Sequence, residues 1–269
     1  MPVKQISANG KTYKFGRNPA IATGPTFKIK NYMLASLPLP PMQVNYASGA
    51  QPALGEMYLN DILGNCVIAC MGHVGGVFLG NAGGKLYLTP AQITTLYSAI
   101  GGYVPGDPST DNGCDIPTAL NYWTQVGLLK GNTPPHKIKM SMAVDATNKQ
   151  EVQTAIWLFE NLITGVNLPD KWVSSMPSVN GWTWDVAGNP DPNNGHCFPC
   201  IGYSGKGLEI STWGMLGTLT YEALTKYMVL SAGGELHTVL SEEIIIKGQT
   251  KAPNGFNWTQ LLADWAMMG

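Results

Sequence analysis

The chain has 269 residues, enough for one large domain or two lobes facing a shared cleft, and its 44% hydrophobic content allows a sizeable core. A net charge of −1 argues against a nucleic-acid partner, because phosphate binding needs a basic surface. Only 12% of residues are charged, against about 25% in an average domain, which suits a place in a larger assembly as well as a free monomer.

No N-terminal stretch joins a basic start, an apolar run and a small-residue cleavage site, and no apolar run reaches the roughly 18 residues of a membrane span. The cysteines are Cys66, Cys70, Cys114, Cys197 and Cys200. An odd count without a secretion signal does not suggest a disulfide framework. The expectation is synthesis in a reducing cytoplasm with free thiols and no membrane contact.

In chain order, residues 1–45 read as a polar, Pro-rich arm lying across the body. Within it 37–42 (LPLPPM) is extended, since proline blocks helix. Residues 60–79 (NDILGNCVIACMGHVGGVFL) follow. After Asn65, a good N-cap type, the apolar residues lie on nearly every face, so a buried helix is expected with Cys66 in its first turn. In 88–98 (LTPAQITTLYS), Thr89 is suited to cap a helix and Pro90 to its first position. Residues 101–113 read as a loop and 116–126 as a helix ended by Gly127. Residues 147–161 give another amphipathic helix, and 162–166 a short apolar strand.

Beyond that the chain reads as β. Residues 181–194 form a long loop, and HCFPCIGY (196–203) and LEISTWG (208–214), joined by SGKG, read as a hairpin. MLGTLTYEALTKYMVL (215–230) has a helical pattern, with 221–228 its clearest stretch, and 236–240 and 244–246 are candidate strands. The organisation expected is an arm (1–45), a mainly helical lobe carrying Cys66 (46–140) and a mainly β lobe carrying His196 (141–269).

A cysteine attacks as thiolate, favoured by a helix N-terminus and by a neighbouring imidazolium. Cys66 has the first by its place; the second requires a histidine delivered by the fold. His196 starts an apolar strand after a Gly- and Asn-rich loop, a position that suits projection into a cleft.

The order of these segments resembles the papain-like cysteine-peptidase superfamily. Asn60 stands six residues before Cys66, at the place of that family's glutamine, with the same amide donor on a shorter side chain. LTPAQITTLYS resembles its Leu-Ser-x-Gln-x-Leu segment, and DNGCDIPTALNYWTQVGL its Gly-Cys-x-Gly-Gly segment. NKQEVQTAIWLFENLITGVNL resembles the helix–strand pair before the catalytic histidine, GHCFPCIGY the Asn-His-Ala-Val segment, and LEISTWG the strand ending Lys-Asn-Ser-Trp-Gly. The resemblance runs over roughly residues 40–217 and implies an α+β, two-lobe fold of a divergent bacterial or phage branch.

It also implies roles. Cys66 is the nucleophile and His196 its base; Asn60 and the Cys66 N–H form an oxyanion hole, and Trp213 shields the histidine. Ser211 takes the place of the asparagine that orients the histidine. Asp115 with Ile116 replaces a glycine pair that admits substrate, and Gly195 precedes the base. The substrate would be a peptide, a protein or a peptidoglycan cross-link, and no cofactor is needed. The other reading is a papain-like scaffold that no longer catalyses and serves in binding or in a particle such as a virion. A plugged cleft, or a His196 turned from Cys66, speaks for that scaffold. Cys197 and Cys200 form a CxxC, but strand residues i and i+3 point to opposite faces, which suits neither thioredoxin-like chemistry nor a zinc site with Cys66, Cys70 and His73. His73 reads as a core histidine, and the tryptophans Trp182 and Trp184 as packing for the long loop.

Overall fold

A computed structural model describes residues 3–20, 26–128, 134–251 and 255–268. The arm is more ordered than its composition suggests. It forms a hairpin of β1 (Lys4–Ala8) and β2 (Lys11–Phe15), turned at Asn9-Gly10, where both residues have positive φ, 53° and 72°. An Asn-Gly pair is the residue pair a tight hairpin turn demands. Short strands β3 (Phe27–Lys28) and β4 (Val44–Asn45) follow.

Helix α1 (Cys66–Asn81) is buried on every side from Cys66 to Phe78, as its all-round apolar sequence requires. Asn65 precedes it but does not cap it; its side-chain amide donates instead to the Tyr58 carbonyl at 2.7 Å. In α2 (Pro90–Gly101) Thr89 and Gln92 form a capping box, and in α3 (Ile116–Gln125) Asp115 accepts the Thr118 N–H at 2.8 Å.

The rest comprises β5 (Ile138–Ala143), α4 (Lys149–Phe159), β6 (Leu162–Pro169), α5 (Asp170–Ser174), β7 (Trp182–Trp184), β8 (Pro190–Ser204), β9 (Gly207–Thr212), β10 (Met215–Leu219), α6 (Tyr221–Tyr227), β11 (Glu235–Ser241), α7 (Glu242–Lys251) and α8 (Trp258–Met268). Among the described residues one nine-stranded sheet runs in the order β3-β5-β11-β6-β8-β9-β10-β7, with β4 pairing β8 as well. Its pairs are antiparallel except β3 with β5 and β7 with β10. The architecture is α+β, with the buried helix α1 packed against the central strand β8. No helix among the described residues is long and apolar enough to cross a membrane.

Three local expectations are overturned. Residues 181–194, expected as one long loop, contain β7 and the first residues of β8. Residues 215–219 are strand β10, paired with β9, and only the stretch after Thr220 is helical. Ile244–Ile246, expected as strand, lies in α7. Three β-branched residues favour a strand locally. Glu242 and Glu243 in the first turn favour a helix, and the Ile244 N–H reaches the Ser241 hydroxyl.

Candidate active site

Cys66 is the first residue of α1 and is 1% exposed. A helix N-terminus favours a thiolate, but loss of water opposes any charge. Burial and the neighbouring Cys197 push the Cys66 thiol up to about 12, against the smaller opposing pull of backbone hydrogen bonds from Gly16 and Cys197 and of the Arg17 charge. It is a neutral thiol at neutral pH.

His196 lies on β8 and is completely buried. Its ring stacks on the Trp213 indole, with centroids 4.2 Å apart and planes at 16°, while Phe15 meets it edge-on at 6.0 Å and Phe198 lies at 6.0 Å. Nε2 shares a 2.7 Å hydrogen bond with the Thr212 hydroxyl, and Nδ1 has no partner. Burial alone pushes the imidazole down to about 3, so it too is neutral.

The expectation for Ser211 is corrected here. Its hydroxyl donates to the Leu54 carbonyl at 3.4 Å, and Thr212 takes the imidazole. Cys200 pairs with Ile210 across β8 and β9. By strand alternation Ile210 and Thr212 share the face of Cys200 and His196, and Ser211 points the other way.

The cleft side of these residues is filled by the arm. The Lys14 N–H donates to the Asn60 carbonyl at 3.1 Å, and the Asn60 side-chain amide donates to the Lys14 carbonyl at 3.2 Å and to Leu63 at 3.1 Å. The Cys114 N–H donates to the Gly16 carbonyl and the Asn18 N–H to the Cys114 carbonyl, both at 2.9 Å. The Arg17 N–H donates to the Gly195 carbonyl at 3.0 Å. Residues 14–18, the end of β2 and the three residues after it, are thus a segment held from both sides, with Phe15 over His196 and Gly16 against the Cys66 thiol.

Of the residues expected to bind substrate, Gly195 touches this segment. Trp213, at φ 51°, packs on Phe15 and on Tyr13. Asp115 does not face the segment with its carboxylate; that group caps α3. Two surface cavities, of about 370 and about 190 Å³, lie by Tyr203 and Glu209 and by Tyr58 and Tyr87, and neither is lined by Cys66 or His196.

No protein-family model matches the sequence, and no curated protein matches it. Among solved structures it is similar to xylellain, a cysteine protease from Xylella fastidiosa, at a TM-score of 0.63 and 14% identity, over 84% of this chain and 95% of that one. It is also similar to procathepsin B S9 from Trypanosoma congolense, at 0.58 and 10%, over 85% and 86%. Digestive procathepsin L 3 of Tenebrio molitor matches at 0.53 and 13%, over 80% and 76%. The chain has the papain-like fold.

Within this papain-like frame all five cysteines are free and buried. Cys70 and Cys197 hydrogen-bond through sulfur, Cys200 bonds the Thr164 hydroxyl at 3.3 Å, and desolvation holds every one of these thiols above its ordinary pKa. No group of three or more His, Cys, Asp or Glu among the described residues is arranged to hold a metal. His73 bonds the Glu56 carbonyl at 3.0 Å inside the core. Trp184 belongs to β7, is buried, and stacks on Trp172 of α5 with centroids 4.7 Å apart.

Thr212, Arg17 and Glu235 are the site residues that sequence reading misses. Glu235 had a signal: one acid heading the strand ELHTVL, where a buried charge needs a partner. Nothing local singles out Arg17, which meets it from 218 positions away.

Proposed function

We propose that the chain is a latent cysteine hydrolase for peptide amide bonds, closed by its own residues 14–18. The observation that carries this reading is the segment itself: its backbone is held by Asn60, Cys114 and Gly195 directly over Cys66 and His196. A groove that grips one extended peptide on both edges suits a peptide or protein substrate better than a peptidoglycan cross-link.

With the arm displaced, water and substrate reach Cys66 and His196, and the desolvation that keeps both neutral is relieved. Cys66 Sγ attacks the carbonyl carbon and its proton passes to Nδ1 of His196, the nitrogen left free when Nε2–H is donated to Thr212. The oxyanion is held by Asn60 Nδ2 and the Cys66 N–H at the start of α1. The C–N bond breaks as His196 returns the proton to the amine, and water then cleaves the thioester.

The plugged cleft, and a His196 Nδ1 that makes no hydrogen bond to the Cys66 thiol, favour a second reading, a scaffold that binds a strand or packs in a particle without chemistry. Thiol alkylation read residue by residue separates the two. Gly16→Val is the opening variant, because a Cβ there stands 1.7 Å from the Gly64 carbonyl oxygen and forces the arm out. At about pH 6 an ordinary thiol is almost unreactive. The latent enzyme labels Cys66 faster than Cys114 in G16V, and an added His196→Ala removes the difference. Equal labelling of the two cysteines in a folded G16V chain leaves the scaffold.

A further inference from the structure

The arm does more than cover the cleft: its side chains occupy pockets whose chemistry specifies what the cleft accepts. Arg17 is 5% exposed and enters a pocket among β6, β8 and β11. Its Nε and Nη2 donate to one carboxylate oxygen of Glu235 at 3.2 and 2.6 Å. Its Nη1 donates to the Gly233 carbonyl at 2.7 Å and to Asn167 Oδ1 at 3.4 Å. All three guanidinium nitrogens therefore have acceptors. The other Glu235 oxygen is occupied by His237 Nε2 at 2.9 Å, which fixes the carboxylate toward the cleft.

The pocket is shaped for this group. A Cβ at Gly165 would stand 2.8 Å from Arg17 Nε, so glycine there leaves the space the guanidinium fills. The preceding residue passes through a narrower place. A Cβ on Gly16 would lie 1.7 Å from the Gly64 carbonyl oxygen, and one on Gly113 would lie 2.0 Å from the Gly16 carbonyl oxygen. Backbone bounds that passage on both sides, so it admits glycine only. Two residues earlier, Lys14 Nζ meets Asp111 Oδ2 at 2.8 Å, and Asp111 is 6% exposed.

We infer that the cleft is a sequence-selective groove for a basic extended peptide in which glycine directly precedes arginine, the guanidinium being chosen by Glu235, Asn167 and the Gly233 carbonyl. The inference rests on the latent-hydrolase reading only in taking the arm's seat as the substrate's. A planar guanidinium reaches these three acceptors at once; a lysine ammonium is a single point and does not, and a neutral isostere takes from the buried Glu235 the full charge that faces its cleft-side oxygen.

The test is fluorescence anisotropy on the full chain carrying Gly16→Val to empty the groove and Cys66→Ala to remove any chemistry. The probe is the labelled peptide Lys-Thr-Tyr-Lys-Phe-Gly-Arg-Asn. Variants carry citrulline or lysine in place of arginine, or alanine in place of glycine. The parent peptide is expected to bind at least ten times more tightly than each variant. Glu235→Gln in the same chain is expected to abolish the preference for arginine over citrulline. Equal binding of parent and citrulline peptides, or no binding of the parent by a chain that melts cooperatively, overturns the inference. If G16V does not melt cooperatively, Gly16→Ala, whose smaller side chain meets the same Gly64 carbonyl, serves as the host with the same two outcomes. Because Cys66 is absent, binding is read without hydrolysis. A selective groove whose Cys66 labels no faster than Cys114 in the alkylation experiment sinks the hydrolase and leaves the selectivity standing.

Discussion

His196 Nε2 and the Thr212 hydroxyl lie 2.7 Å apart, and among the described residues this is the only polar contact the imidazole makes. Thr212→Val keeps the shape and leaves the imidazole without a partner. Burying one unsatisfied polar group costs about 1–3 kcal/mol. Urea unfolding should show that loss for T212V, and a smaller one for Ser211→Ala, whose hydrogen bond is a long 3.4 Å. In the G16V background, T212V should also slow labelling of Cys66 while S211A should not. The opposite order would return the orienting role to Ser211.

Glu235 and Arg17 form a buried pair, with side chains 5% and 2% exposed. Removing one partner strands the other charge, so Glu235→Ala should destabilise by about 3–5 kcal/mol. Replacing both, as Arg17→Met with Glu235→Leu, should cost less than the sum of the single changes. Denaturant melts on the four proteins of the cycle measure this. Additive single effects would mean that the two charges do not depend on each other.

Acid should unfold the chain before its carboxylates titrate. Burial pushes His196 down to about 3 and His73 to about 4. An unfolded histidine titrates near 6.5. Below about pH 6 the unfolded chain therefore binds roughly two protons that the native chain refuses, and stability falls by up to about 2.7 kcal/mol per pH unit until the folded values are approached. Glu235, which burial alone would raise, is held below its ordinary value by His237 and Arg17, so its contribution is lost at still lower pH. Urea midpoints at pH 7, 6 and 5 should drop steadily. His196→Phe should remove about half of the slope; a flat profile would contradict the burial of both rings.

Gly165→Ala places a methyl against Arg17 Nε, at 2.8 Å, and against Ile116 Cδ1, at 2.9 Å. Overpacking of this kind costs about 1–3 kcal/mol. The variant should melt earlier and, in the opened chain, bind the arginine peptide more weakly than the unaltered groove. Unchanged affinity would show that the guanidinium does not depend on that space.

Much of the frame was legible because it is local. The all-apolar run after Asn65 could only be a buried helix, and Thr89, Pro90 and Gln92 mark the start of α2 as they stand. The run from His196 to Tyr203 reads as one arm of a hairpin, and the structure pairs it with β9 and buries it on both faces. Local reading failed where two signals competed. The three isoleucines at 244–246 point to a strand, and Glu242, Glu243 and Ser241 settle the helix. The Asn9-Gly10 hairpin carried its own signal, outweighed by the prolines of the arm as a whole.

Sequence by itself determined that Cys66 begins a buried helix, that His196 belongs to a buried strand, and that the two elements come in papain-like order. These follow from periodicity and capping, which act over a few residues. Only the tertiary structure decided that Thr212 rather than Ser211 meets the imidazole. That choice depends on the register of β8 against β9, which shifts between Cys200 and Gly202, and a slip of one residue exchanges the two faces of a strand. The fold likewise decided that residues 14–18 fill the cleft and that Arg17 finds Glu235. Those contacts join residues roughly 50 to more than 200 positions apart, and no local pattern encodes which distant segment a groove will receive.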